Sequence, residues 1–337
     1  MSSPEFDVEG LQQLKDSAAY QHVLQQFEAV ARQSPMMGVW LDPTLDSPLL
    51  GALQAAILPD HVVEFKKIHD ELPHCLRMLN GRSQQIQDQQ WLQDSLLYAR
   101  YETELALAAD ADPRYGRSIC LWLPRPQAWD SASIRPLQKM AQLLDHTGQP
   151  RYLRYWDPRV LMILESILTP EQYGRLYQLL HPCFYLDWDG QLCQLTAPSA
   201  SQQHFPLCQT PYQMSLNHAQ WQQLEQVLWV NRAIRMVAQW SHELIDESNL
   251  DKRKLIPRLY QCFQRAAKYG FLGENDAYVF VTLALTVHWH FDQHPIVQPY
   301  LTHPTAVSLA DTLLPISEQQ WQSIAQTDKA QKQMSAN

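Results

Sequence analysis

The chain has 337 residues, 45% of them hydrophobic and 18% charged, which is enough apolar material for two domains and argues against global disorder. Its net charge is −9 and its lysines and arginines are scattered, so the sequence does not predict a nucleic-acid-binding surface. The longest apolar run, residues 277–287, is too short to cross a bilayer, and we expect no membrane partner.

Helices and short strands alternate along the first 195 residues, as the spacing of apolar residues indicates. In chain order the predicted elements are a helix at 9–33, a strand at 37–41, a helix at 48–58, a strand at 62–68, a short strand or helical turn at 72–79, a helix at 89–109, a strand at 118–123, a helix at 134–144, a strand at 152–156, two helices that begin near residues 158 and 170, and a strand at 183–188. Strands separated by helices predict a mixed sheet flanked by helices, so we expect an α/β lobe over residues 1–195.

Apolar periodicity is lost between residues 196 and 215, where Pro, Ser, Gln and His dominate, and we interpret this segment as a connector. Helical spacing returns at 217–247, 250–269, 275–291 and 317–325. This pattern predicts an all-α lobe over residues 216–327 and a frayed tail at 328–337. The expected fold class is therefore α+β, with the α/β lobe first and the helical lobe second.

Residues 151–161, with the sequence RYLRYWDPRVL, form the most informative segment of the chain. Alternating aromatic residues at 152–156 predict a half-buried strand. Asp157 is a typical helix N-cap and Pro158 a typical first helical residue, and apolar residues follow with helical spacing. A strand is thus expected to end where a helix begins, with Arg154 and Arg159 flanking the cap.

The side chains at this junction allow two interpretations. Arg154, Asp157 and Arg159 can form a clamp for an anion or a peptide carboxylate. Alternatively, Asp157 caps the helix while an arginine pairs with it across the corner, and we favour this structural role for Asp157. Tyr155 and Trp156 suit an exposed binding face beside an arginine as well as they suit the protein core.

Histidines near residue 290 raise the question of a metal site. His290 and His294 have the spacing of one helical turn, which is a known spacing of metal ligands. His288 and Asp292 form a second such pair on another face, and no glutamate of the H-E-x-x-H type accompanies them. We expect structural or surface histidines here and keep a metal site at His290 and His294 as the alternative.

The sequence carries no recognisable motif for nucleophilic catalysis or cofactor binding. G-x-S-x-G, G-x-G-x-x-G and P-loop patterns are missing, and the six cysteines form no C-x-x-C pair. We therefore expect no cofactor. The first residues lack the features of a signal peptide, which favours a cytoplasmic protein with reduced thiols.

The octapeptide RYWDPRVL at residues 154–161 resembles the R-[FY]-[YW]-D-P-R-V-L signature of the effector adaptors, also called effector chaperones, of type VI secretion systems. Shorter segments at 38–42, 71–76, 115–121 and 180–184 are similar to other parts of that family in the expected order. The resemblance covers the part of the chain between the first predicted strand and the last strand of the α/β lobe.

What the resemblance implies is a non-enzymatic adaptor that holds a toxic effector protein in the cytoplasm and promotes its loading onto the spike protein of the secretion machine. The connector at 196–215 or a groove between the lobes is the expected partner surface. A metal-dependent hydrolase built on residues 288–294 and a structural subunit of an assembly are the alternatives. The candidate partner-binding residues are Trp40, Asp42, Arg154, Tyr155, Trp156 and Arg159, with Asp157 and Pro158 as the structural part of the motif.

Overall fold

The computed structural model describes residues 8–42, 53, 62–64, 77–105, 117–145, 147–198, 214–239, 252–304 and 307–335. The chain divides into two units, Met1–Leu224 and Glu225–Asn337. The division falls inside a helix, beyond the segment at 196–215 that we interpret as a connector.

The first unit is built from short elements. In chain order they are α1 (Val8–Asp16), α2 (Ala18–Arg32), β1 (Met36–Leu41), β2 (Val62–Glu64), β3 (Arg77–Arg82), α3 (Ile86–Leu105), β4 (Ile119–Arg125), α4 (Ser131–Ala141), β5 (Gln142–Leu144), β6 (Pro150–Tyr152), α5 (Pro158–Ile167), α6 (Pro170–Leu180), β7 (Phe184–Leu186), β8 (Leu192–Gln194) and β9 (Met214–Ser215). Most of the predicted helix at 48–58, and parts of the segments at 62–68 and 72–79, lie outside the described residues.

Six strands form one sheet in the order β2-β3-β1-β4-β7-β8, and every pairing in it is antiparallel. The helix α3 connects β3 to β4, which run in the same direction, but β1 lies between them. Because β1 lies between β3 and β4 and is antiparallel to both, each hydrogen-bonded pair is antiparallel although strands and helices alternate along the sequence. Parallel pairing occurs between β5 and β9, in a second sheet of order β6-β5-β9. The α+β class is confirmed, but the expected mixed pairing is found in the small sheet and not in the large one.

Helices cover both faces of the six-stranded sheet. Val39 and Leu41 of β1 belong to the core under α1, α2 and α3, whereas Trp40 belongs to the core under α4, α5 and α6. A sheet covered on both faces requires apolar side chains at successive positions along a strand. This arrangement explains why every residue of β1 after Met36 is buried.

Side-chain caps set several helix boundaries. The Ser17 hydroxyl accepts a hydrogen bond from the Tyr20 N–H (3.2 Å), which starts α2 and divides the predicted helix at 9–33 into two. The helix predicted to begin near residue 170 does so, and a capping box between Thr169 and Gln172 starts it. The predicted helix at 134–144 was wrong at its C-terminal end, because residues 142–144 pair with β6 and β9 as a strand.

The second unit is helical in every regular element that the structure describes. Its helices are α7 (His218–Gln239), which spans the division between the units, α8 (Lys252–Lys268), α9 (Glu274–Thr286), α10 (Gln298–Thr302), α11 (Leu309–Leu313) and α12 (Glu318–Ser335), with a 3-10 turn at Phe291–Gln293. Gly270, with φ of 87°, follows α8 in the left-handed conformation typical of a glycine at a helix C-terminus. The helix α12 continues into the tail that we expected to be frayed.

Candidate functional site

Residues 153–157 form a tight corner between β6 and α5. We call residues 154–161 the signature segment. The strand ends at Tyr152, and the Asp157 N–H donates to the Arg154 carbonyl (3.0 Å), which closes a turn. The predicted strand at 152–156 was therefore wrong beyond its first residue. The turn redirects the chain so that side chains of residues 154 and 156 point toward the end of β1, as their hydrogen bonds to Asp42 show.

Asp157 caps α5 and binds an arginine at the same time. Its carboxylate accepts from the Arg159 N–H (3.0 Å), and the Arg159 guanidinium donates to both carboxylate oxygens (2.9 and 2.6 Å). Burial alone would raise the pKa of Asp157, but Arg159, with Arg154 and Arg117 nearby, holds that pKa well below its ordinary value. The cap and Pro158 as the first helical residue are confirmed. The partner of Asp157 is the neighbouring Arg159 and not an arginine across the corner.

Asp42, the residue after β1, joins the first strand to the signature segment. It is 1% exposed, and its Oδ2 atom accepts from Arg154 Nη2 (2.7 Å) and from Trp156 Nε1 (2.8 Å). The Asp42 N–H donates to the Ser118 carbonyl (2.7 Å) at the start of β4. A buried carboxylate needs such donors, because the loss of hydration is otherwise uncompensated. Two segments far apart in sequence are thereby held at one point.

Aromatic rings fill the corner on its inner side. The Trp40 and Trp156 rings are stacked with centroids 5.4 Å apart, and Tyr155 and Tyr152 meet the Trp156 ring edge-on, each at 5.3 Å. The Tyr155 hydroxyl donates to the Leu137 carbonyl (2.7 Å). Trp40, Tyr155 and Trp156 are all buried, so an exposed binding face at Tyr155 and Trp156 is not observed. Tyr155 and Trp156 belong to the hydrophobic core because the turn directs their rings toward β1 and α4.

Arg117 is a second buried guanidinium that the sequence analysis did not identify. It is 2% exposed and donates to the carbonyls of Leu186 (2.5 Å) and Asp187 (2.9 Å), at the end of β7. Burial, followed by repulsion from Arg159, lowers the pKa of Arg117 to about 10. Its only sequence signal is an arginine directly before a buried strand.

Glu102 of α3 completes the buried polar groups around the start of β4. Its carboxylate accepts from the N–H groups of Ser118 (2.8 Å) and Ile119 (3.2 Å) and from the Ser118 hydroxyl. Nothing in the spacing of α3 distinguishes this glutamate from an exposed one. Glu102 fixes the strand on which the corner is assembled.

The corner is built to hold its shape. The carboxylates of Asp42 and Asp157 are both buried, and each is bonded by an arginine. The side chain of Arg154 is 32% exposed and that of Arg159 only 11%. Among the proposed partner-binding residues, Arg154 is the one with a substantial exposed fraction. The clamp interpretation is thus restricted to Arg154.

The histidines do not lie on a helix. The predicted helix at 275–291 ends at Thr286, and the chain then forms turns and the 3-10 segment. The His290 N–H donates to His288 Nδ1 (3.0 Å), and the Ile296 N–H donates to His294 Nδ1 (3.3 Å). Within the ranges that the structure describes, no group of three or more His, Cys, Asp or Glu side chains is arranged to hold a metal ion. Because the chain is not α-helical here, four residues of separation do not place His290 and His294 one helical turn apart.

Asp292 belongs to an ion pair inside the second unit. The Arg265 guanidinium donates to its carboxylate, with an Nε–Oδ2 distance of 3.1 Å, and also packs over the rings of Phe280 (5.1 Å) and Trp289 (5.2 Å). Asp292 is 2% exposed. This buried carboxylate is balanced by the half-buried Arg265 guanidinium.

A scan against protein-family models, a search of curated proteins and a search of solved structures each gave no match to this chain. In the part of the chain that the structure describes, no helix combines the length and the apolar character needed to cross a membrane.

Proposed function

We propose that this chain is a non-enzymatic adaptor of a type VI secretion system, which binds a toxic effector protein in the cytoplasm and promotes its loading onto the spike protein. The single observation that carries the proposal is the contact of Asp42 with Arg154 and Trp156. Residues 38–42 and 154–161 are two of the segments on which the resemblance depends, and they meet at this one carboxylate.

A shared contact gives the two segments a common physical role. Arg154 and Trp156 lie more than a hundred residues after Asp42 in the chain, and each donates to the same buried oxygen. Replacement of Asp42 takes this acceptor from both donors, and replacement of Arg154 or Trp156 removes one of the hydrogen bonds to a buried carboxylate. The side chains of this motif are fixed, and they stabilise a corner of the backbone. A fixed backbone corner is what we expect in a protein whose function depends on the shape of its surface.

The cysteines of the described residues support a role without covalent catalysis. Cys120, Cys183 and Cys262 are buried, and Cys193 is half-buried. Burial raises the pKa of all four thiols, to about 11 for Cys193 and about 12 for Cys262. The thiolate is the nucleophilic form, so these thiols are poor nucleophiles at neutral pH.

The test is capture of a partner. The tagged chain is co-expressed with each candidate effector encoded beside its gene, and the mixture is passed through a gel-filtration column. A complex that elutes at constant stoichiometry, together with loss of secretion of that effector when the gene is deleted, is the expected result. Secretion that continues unchanged without the gene would contradict the proposal.

A second measurement separates an adaptor from the hydrolase alternative. The purified chain and its His290→Ala variant are analysed for bound zinc and iron and for hydrolase activity on ester, peptide and phosphoester substrates. The adaptor predicts effector capture by both proteins. Turnover by the unchanged chain that the variant lacks would favour the hydrolase instead.

A further inference from the structure

Two cavities lie along the same pair of helices in the first unit. The larger, of about 540 Å³, is lined by Ala132, Ser133 and Leu137 of α4 and by Gln178 and Leu179 of α6. The smaller, of about 210 Å³, is lined by the C-terminal end of α4 and the N-terminal end of α6. The helices therefore run antiparallel, with a cavity at each end of their contact. We name the larger cavity the α4–α6 groove; residues 125–130 complete its lining.

Arg125, at the end of β4, forms part of the wall of the larger cavity. Its Nη2 atom donates to the Leu179 carbonyl (2.9 Å), and its guanidinium carbon lies 4.7 Å from the centre of the Trp129 ring. A guanidinium has five N–H donors, and the Nε donor of Arg125 is buried without an acceptor. In the described ranges no carboxylate forms an ion pair with Arg125. Burial lowers the pKa of this side chain, so an anion beside it would relieve an existing cost.

The acid at the rim of the groove does not neutralise Arg125. Asp130 caps α4, and its carboxylate accepts from the Ser133 N–H (2.8 Å) and hydroxyl (2.7 Å). These hydrogen bonds lower the pKa of Asp130 and keep its charge at the helix terminus. The groove thus combines an apolar floor, formed by Leu137 and Leu179, with a guanidinium whose Nε atom has no acceptor.

We infer that the α4–α6 groove binds an extended peptide segment of the effector protein, with an Asp or Glu side chain of that segment placed on Arg125. This inference rests on the proposed function and names the surface through which it acts. The groove has a volume of about 540 Å³ and is open to solvent between the N-terminal part of α4 and the C-terminal part of α6. A cavity between two helix ends admits a polypeptide segment better than a flat folded surface, and carboxylate–guanidinium pairing fixes its register.

The test compares matched variants of the full chain. Ala132→Trp fills the larger cavity, and Ser131→Trp places the same ring on the preceding exposed residue, which does not line it. Arg125→Met removes the groove cation, and Arg135→Met removes an exposed cation of α4 that lies outside the lining. Circular dichroism and thermal unfolding confirm that each variant is folded.

Binding is measured with overlapping 15-residue peptides that cover the effector captured in the co-expression experiment. Ala132→Trp and Arg125→Met are expected to weaken the best peptide by about tenfold or more, while Ser131→Trp and Arg135→Met change it by less than about twofold. Changing the acid of that peptide to its amide should weaken binding to the unchanged chain but not to Arg125→Met.

The outcomes separate the two proposals. If the unchanged chain captures an effector and all four variants bind it equally, the groove assignment is wrong and the adaptor function stands. If the unchanged chain captures no effector, both proposals fall. If Ala132→Trp instead abolishes self-association of the free chain, the groove is an interface between two copies and the peptide assignment is overturned.

Discussion

Asp42 is a carboxylate removed from water and bonded by two side chains of one turn. Its 1% exposure makes the hydrogen bonds from Arg154 and Trp156 obligatory. Removal of one member of a buried ion pair is costly, because the remaining charge stays where it cannot be hydrated. The partial exposure of Arg154 moderates this cost, since water reaches part of its guanidinium.

Asp42→Ala is expected to lower the free energy of unfolding by about 3 kcal/mol, because Arg154 and Trp156 lose their acceptor. Asp42→Asn keeps one oxygen and should cost less. Urea denaturation followed by tryptophan fluorescence measures both. The control is Glu64→Ala, which breaks the exposed pair with Arg77 and should cost about 1 kcal/mol or less. Equal costs for Asp42→Ala and Glu64→Ala would show that the corner is not held by this carboxylate.

Asp157→Ala is expected to cost about 3–5 kcal/mol, which is more than the roughly 1 kcal/mol of a lost cap alone. The reason is that Arg159, with a side chain 11% exposed, loses its bidentate partner. Asp157→Ser keeps a capping oxygen and separates the two contributions. Thermal and urea unfolding of both variants provide the measurement. An alanine variant that loses only about 1 kcal/mol would mean that the ion pair contributes little.

Stability should fall in acid, and Asp157 should account for part of the loss. Its folded-state pKa lies below its unfolded value of about 3.9, so its contribution is complete above that pH and is lost as the pH falls further. Urea unfolding between pH 2 and pH 6 measures the dependence. Asp157→Asn should flatten the curve below about pH 4. An unchanged slope in that variant would contradict the assignment.

At the level of single residues, the sequence predicts what depends on neighbours in the chain. The cap at Asp157 and the proline that follows it are local properties of a helix start. The burial of Tyr155 and Trp156 depends on the end of β1, which is distant in sequence. No local pattern distinguishes an aromatic pair in a core from one on a surface, and Arg117 escaped detection for the same reason.

At the level of elements, the strand β1 is held closely between its neighbours. A Cβ atom on Gly38 would lie 2.4 Å from Trp129 Nε1 and 2.9 Å from Met78 Sδ. The Trp129 ring therefore packs directly on the strand backbone. Glycine at this position is required by the close approach of an aromatic ring.

Gly38→Ala is expected to destabilise the chain by about 1–3 kcal/mol, because Trp129 must move to admit the methyl group. The measurement is urea unfolding, with Trp129 as part of the fluorescence signal. Gly273→Ala is the control, because its φ of −81° suits alanine and its nearest neighbour is the movable side chain of Asp276. That change should stay within about 0.5 kcal/mol. A Gly38 variant as stable as the control would show that the ring can shift freely.

Elements that depend on distant pairing were the ones that the sequence misplaced. Residues 142–144 have helical spacing but form β5, because they pair with residues 150–152 and 214–215. Residues 214–215 in turn were assigned to the connector, since two residues are too few to show periodicity. The longer elements α2, α3 and β4 were predictable because burial of one face, or of both faces, repeats along them.

At the level of the whole molecule, the first unit extends beyond residue 195. Met214, Leu216 and Leu224 belong to the same core as Trp40, and the Gln220 side chain donates to the Ile167 carbonyl (2.9 Å). These residues lie on both sides of the start of α7. The boundary that we expected at residue 195 therefore divides residues that belong to one core.

A fragment of residues 1–198 is expected to be less stable than a fragment of residues 1–239 by about 5 kcal/mol, because it lacks three buried apolar side chains at roughly 1.5–3 kcal/mol each. Urea unfolding of the two fragments is the measurement. Equal midpoints would place the end of the unit near residue 195 after all.

The bond from Arg154 to Asp42 closes a loop of 112 residues. Closure of so long a segment costs about 4 kcal/mol of chain entropy before any contact is made. During synthesis on the ribosome, the first strand emerges well ahead of the arginine and tryptophan that seal its end, and its carboxylate stays hydrated in the meantime. A nascent chain interrupted before that point lacks these two hydrogen bonds and leaves an incompletely formed sheet within reach of cellular proteases.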